Sequence, residues 1–194
     1  MIQPPIPARA LPVVARAPGK CILFGEHAVV RGQPEVLLAV DLYTQVAIQP
    51  SPEWRLNGHT GAVAGHRYLQ AALHELWANG SPLDVTVVSR IPKASGMGSS
   101  AAFVAALTAA IGAAQGGLDR ASLAQRAFTI ERAAQGVGSP GDTSAATAGG
   151  YLTLNTDVAA VGNPLWSVAA GTERWTIRRI TDPGWVWVVA YSGL

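Results

Sequence analysis

The chain has 194 residues, 49% hydrophobic and 13% charged, with a mean hydropathy of +0.23, a composition that buries one globular domain or slightly more and excludes disorder. A formal net charge of +2 with no run of Lys or Arg excludes a nucleic-acid surface and suits a small anionic ligand. The single cysteine, Cys21, excludes an internal disulfide and a cysteine-built zinc cluster, and strand packing is its expected role.

In chain order, the opening MIQPPIPARALPVV has too many prolines and too short an apolar stretch for a secretory signal. The most apolar segment, Ala101 to Ala114, is shorter than the roughly 20 residues a membrane span requires. A cytoplasmic protein with no membrane partner is expected. Strands are predicted at Val13 to Ala17, Lys20 to Phe24 and Tyr43 to Ile48, interrupted by Pro18-Gly19 and by Pro50 to Pro52. Val63 to Ala78 carries Leu69, Leu73, Leu76 and Trp77 at helical spacing, with Asn79-Gly80 as a stop. A strand at Leu83 to Val88 leads into a glycine-serine loop, followed by helices at Ala101 to Ala114 and Leu118 to Gln135. A short Gly-bounded segment, Asp142 to Gly150, precedes strands at Tyr151 to Asn155, Trp175 to Ile180 and Trp185 to Tyr191. The class is mixed α+β, with no fixed-period repeat and no linker between two complete domains.

The loop is the most informative feature. In IPKASGMGSSAA, Gly96 and Gly98 let the backbone turn sharply, Ser99 and Ser100 add hydroxyls, and the alanine-rich helix behind them brings unpaired N–H groups and a partial positive charge. Phosphate fits such a place. The plain alternative is a turn followed by a helix that Ser99 N-caps. A Walker A loop is absent, because the only Gly-Lys pair, Gly19-Lys20, lacks the rest of the pattern. Gly96, Gly98 and Ala101 satisfy the Rossmann fingerprint G-x-G-x-x-G/A. The strand and acidic residue that should follow about 20 residues on are replaced by helix, so a dinucleotide-dependent oxidoreductase ranks behind a kinase.

Three other segments hold ionisable groups in apolar surroundings. Lys20 begins an apolar strand that ends at Gly25-Glu26-His27. Glu131 has Ala127, Phe128, Ala134 and Gln135 as its helical neighbours and no same-helix cation to pair with, so it either reaches solvent or serves a partner such as a metal ion. Asp142 follows a Pro-Gly turn, where an N-cap is the plain explanation.

Taken in order, PGKCILFGEHAVVRGQP, SGMGSSAA, Glu131 and Asp142 with Gly149-Gly150 resemble the GHMP kinase superfamily, and within it the mevalonate kinases. The resemblance implies the superfamily's N-terminal domain, of the ribosomal protein S5 domain 2-like fold. It implies ATP bound by Lys93, Ser95, Gly96, Met97, Gly98, Ser99, Ser100 and Ala101, and Mg²⁺ held by Ser100 and Glu131. Asp142 would be the catalytic base with Lys20 beside it. Lys20, Glu26, His27 and Asp142 would meet the acceptor, which is mevalonate or a similar small alcohol such as phosphomevalonate; a homodimer is compatible. Ser139-Pro140-Gly141 stands where many relatives have Pro-Ser-Gly, and Arg31 where tyrosine is common. The match covers only the N-terminal portion of a family member. Residues 1–182 are assigned to the ATP-binding domain and 183–194 to the first strand of a shortened C-terminal domain, which leaves a nucleotide-binding fragment without catalysis as the alternative.

Overall fold

The computed structural model describes residues 11–155 and 161–191. Seven strands form one sheet: β1 (Val13–Phe24), β2 (Glu35–Pro50), β3 (Arg55–Leu56), β4 (Leu83–Ser89), β5 (Tyr151–Leu154), β6 (Asn163–Ala170) and β7 (Glu173–Ile180). The helices are α1 (Arg67–Leu76), α2 (Ser99–Ala114), α3 (Arg120–Gln135) and α4 (Gly141–Ala148). The long strand β2 organises the sheet. On one edge it pairs antiparallel with β1, and on the other its two halves pair with β5 and β4. The sheet then runs from β5 through β7 to β6. Apart from the short β3–β4 contact every pairing is antiparallel, which excludes a dinucleotide-binding parallel sheet.

Two predicted strands, Val13 to Ala17 and Lys20 to Phe24, are one strand. Pro18-Gly19 shifts the register instead of ending it: Pro18 faces Tyr43 and Gly19 faces Val40, so Asp41 and Leu42 bulge from β2. Pro18 is tolerated because β1 has a single strand neighbour and its other edge needs no donor there. Lys20 uses that free edge, donating its backbone N–H to the Met97 carbonyl at 3.0 Å. A side chain at Gly19 would press on the same carbonyl at 2.8 Å, so the loop approaches β1 this closely only over glycine.

β2 begins eight residues before the predicted Tyr43. Its first half, EVLLAV, is buried on both faces and lacks the alternation that marks a half-exposed strand. β6 was not anticipated, and α1 and α3 begin later than predicted, at Arg67 and Arg120, after caps by His66 and Asp119. The expected strand Trp185 to Tyr191 is not formed: residues 181–191 are exposed and have no regular secondary structure. No described strand pairs with it, and Trp187 Nε1 donates a 2.7 Å hydrogen bond to the Tyr151 hydroxyl.

α2 is buried almost throughout, its small residues letting it lie close to β1 and β2, with α1, α3 and α4 beside it. Val46, Ile48, Val85, Leu107 and Ile111 centre one apolar cluster, and Leu37, Phe128, Leu152 and Trp175 a second. Among the described residues no helix is long and apolar enough to cross a membrane.

Candidate active site

The loop ahead of α2 is curled by left-handed residues at every second position, with φ of 57° at Ala94, 75° at Gly96 and 67° at Gly98. Ser95 braces it from within, donating Oγ–H to the Pro92 carbonyl at 2.8 Å and accepting from the Met97 N–H at 3.4 Å. Met97 turns its side chain into the core, so its contribution outward is limited to backbone. The N-cap of α2 is Gly98, not Ser99, and no side chain caps the helix. The first N–H with an intrahelical partner is that of Ala102, so the amides of Ser99, Ser100 and Ala101 present an open, partly positive helix end. Lys93 is exposed beside this loop.

Next to that end lies an ion pair. Lys20 Nζ stands 3.0 Å from Asp142 Oδ1, with side-chain exposures of 7% and 33%. Gly98 makes the juxtaposition possible, because a Cβ there would meet Lys20 Cγ at 2.9 Å and Asp142 Oδ2 at 3.6 Å. A Gly98→Ala variant is expected to lose about 1–2 kcal/mol through its left-handed backbone alone and to push Lys20 aside. A drop in melting temperature together with weakened nucleotide binding checks this; loss of neither refutes the contact. Asp142 is not an N-cap. Pro140 holds that place in α4, and Asp142 sits in the first turn, where the helix dipole favours its negative charge. Burial still raises its pKa, against the lowering pull of Lys20, and Glu26 adds to the rise.

On the neighbouring face of α3, Glu131 is 7% exposed. Ser100 donates Oγ–H to Glu131 Oε1 at 3.1 Å, and Gln135 donates Nε2–H to the same oxygen at 3.1 Å. Burial, with the charge of Asp142 second, raises the Glu131 pKa to about 7. A buried carboxylate next to a serine hydroxyl, relieved by no cation of its own helix, is a donor set that suits a hard divalent ion, for which Mg²⁺ uses one or two protein oxygens and keeps its waters. Ser100 and Glu131 therefore fit the ion that the resemblance implies.

These groups border a cleft of about 200 Å³ lined by Lys20, Ile22, Glu26, Val30, Glu35, Phe128, Glu131, Arg132, Gln135, Val137, Gly138, Ser139 and Asp142. The structure thus brings together Lys20, Glu26, Glu131 and Asp142 at one cleft, with Ser100 bonded to Glu131 at its side. His27 is exposed and does not line it. Sequence reasoning missed Glu35, which is 1% exposed and whose pKa is pushed up to about 8, chiefly by burial and then by the charge of Asp142. The available signal was a carboxylate at the head of the apolar run Val36 to Val40, directly after Gln33-Pro34.

Residues 62–150, which hold the loop, α2, Glu131 and Asp142, match the family described as GHMP kinases N terminal domain. The chain belongs to the GHMP kinase family. This GHMP kinase chain is 37% identical over 158 residues to the mevalonate kinase of Methanothermobacter thermautotrophicus, an alignment covering 73% of it and 50% of that relative. The crystal structure of the Methanococcus jannaschii mevalonate kinase superposes with a TM-score of 0.60 at 27% identity, covering 75% of this chain and 54% of the other. That of L. major mevalonate kinase in complex with R-mevalonate gives 0.61 at 28% identity, with coverages of 75% and 49%. The chain spans about half the length of the curated relatives it matches.

Proposed function

We propose that this chain supplies the nucleotide loop and the proton-accepting pair of an ATP- and Mg²⁺-dependent kinase that phosphorylates the primary hydroxyl of mevalonate. The observation that carries the reading is the Lys20–Asp142 pair, 3.0 Å apart, set against the uncapped N-terminus of α2. Phosphoryl transfer passes through a loose transition state, so catalysis consists mainly of positioning and of neutralising charge. The amides of Ser99, Ser100 and Ala101 bind phosphate oxygens, while Lys93, exposed beside the loop, adds positive charge. Ser100 and Glu131 would hold Mg²⁺, which would supply neutralisation of phosphate charge when bound.

Asp142 accepts the proton of the acceptor hydroxyl. Lys20 keeps Asp142 ionised against its burial and stabilises negative charge on the reacting oxygen. Ile22, Val30 and Phe128 offer apolar walls to the carbon skeleton, and Glu26 lies at the exposed mouth. The sequence similarity to mevalonate kinases supports the choice of acceptor. The test is ADP release by the purified chain with ATP, Mg²⁺ and mevalonate. Release that depends on the alcohol is expected; ATP binding without any alcohol-dependent release would reduce the chain to a nucleotide-binding module.

A further inference from the structure

Glu35 is not used by the chemistry above, and its surroundings are unusual for a carboxylate. It is the first residue of β2, 1% exposed, yet it lines the same cleft as Lys20 and Asp142. Its Oε2 is buried without a hydrogen-bond partner, a condition that costs about 1–3 kcal/mol for a neutral group and more for a charged one. No cation among the described residues forms an ion pair with it, Lys20 being bonded to Asp142. Room for it is specific: a Cβ on Gly141, the buried first residue of α4, would collide with Glu35 Oε2. The chain thus leaves out a side chain at one position to seat an unsatisfied carboxyl group at another, beside the reacting pair. An arrangement that lowers stability and is held in place by a complementary glycine is accounted for by a ligand that completes it.

We propose that Glu35 is a specificity-determining residue of the acceptor pocket, its carboxyl group binding a hydroxyl of the acceptor other than the one phosphorylated. The proposal rests on the kinase reading and names its acceptor class: a small diol. A hydroxyl both donates and accepts, so it satisfies Glu35 whether the carboxyl is ionised or protonated. A carboxylate or phosphate placed there would meet the negative charges of Asp142 and Glu26 as well. Mevalonate, a 3,5-diol, carries the second hydroxyl; 5-hydroxy-3-methylpentanoate has the same skeleton without it.

The two alcohols are compared in ADP-release assays with the wild type, Glu35→Gln and Glu35→Ala. The wild type is expected to prefer the diol by about 10- to 100-fold, mainly in KM, as the cost of leaving one buried polar group unsatisfied allows. Glu35→Gln, which keeps a hydrogen-bonding head of the same shape, retains most of that preference. Glu35→Ala abolishes it: the ratio of kcat/KM for the two alcohols falls to about one, whatever happens to the absolute rates, and a general loss of structure lowers both rates without changing their ratio. An undiminished preference in Glu35→Ala overturns the proposal, as does equal use of both alcohols by the wild type; either result leaves the kinase reading standing. A binding readout covers failure of the kinase reading itself. The ¹³C carboxyl signal assigned to Glu35 by its disappearance in Glu35→Gln is expected to shift with mevalonate and not with the mono-alcohol. A shift without ADP release refutes only the kinase activity, and a signal indifferent to both alcohols refutes the role of Glu35.

Discussion

Asp142→Asn is expected to lower turnover by about 10²- to 10⁴-fold, the usual contribution of a positioned base, while nucleotide affinity stays within a few-fold of the wild type. Asparagine matches aspartate in shape, so the first turn of α4 and the packing around Gly98 and Gly141 persist. Two things are lost: a group able to take the acceptor proton, and the anion 3.0 Å from Lys20. The second loss leaves an ammonium that is 6% exposed without its partner; the Asp142 side chain is 33% exposed, so the cost stays below the roughly 3–5 kcal/mol of breaking a fully buried pair. A fall in melting temperature is therefore expected alongside the fall in rate. The two are separable because the amides of Ser99, Ser100 and Ala101 lie on a different element and do not depend on the pair. Calorimetry of nucleotide binding reports whether that end of the site is intact. Intact binding with turnover reduced by at least a hundredfold supports Asp142 as the base; intact binding with unchanged turnover removes it from the reaction.

The parts of this site that were legible in the sequence are those written as local motifs. The loop reads locally because glycines at alternate positions and an alanine-rich helix carry their conformations in their own composition, and the left-handed φ at Gly96 and Gly98 follows from it. Glu131 was visible as a charge in apolar surroundings, and Asp142 only through the resemblance, since an N-cap explained it locally. What composition could not supply was who meets whom. The two-residue bulge of Asp41 and Leu42 sets how β1 runs past β2, and β1's free edge takes the loop through the Lys20–Met97 hydrogen bond; neither can be read from either strand alone. Glu35 escaped notice for the same reason. Its significance lies in Gly141, 106 positions away along the chain, and only folding places the absent side chain against the carboxyl group. His27 illustrates the reverse: adjacency to Glu26 suggested a shared pocket, whereas the turn after β1 leaves His27 exposed and directs only Glu26 to the cleft.

Crowding of carboxyl groups has a consequence for stability that runs opposite to ordinary acid denaturation. Glu35 and Glu131 have pKa values raised from 4.5 to about 8 and about 7, and that of Asp142 is raised as well, burial being the first cause in each case. In the unfolded chain the two glutamates lose their protons near 4.5, while the folded protein retains them further up the scale. Across that interval the native state binds more protons than the unfolded state, so the slope of unfolding free energy with pH is negative. The contribution is fully present below pH 4.5 and is lost as pH rises through about 7 and 8. Glu35→Gln removes the largest share. Its urea-unfolding free energy is expected to fall less steeply between pH 5 and pH 8 than that of the wild type, the difference in slope amounting to on the order of a few kcal/mol over the range. Comparing slopes rather than absolute stabilities cancels whatever the amide gains or loses by its own hydrogen bonding, which is the same at both pH values. Parallel profiles for the two proteins would mean that Glu35 ionises in the folded state as readily as in the unfolded chain, and that the unpaired oxygen behind Gly141 is relieved in solution by a partner already present.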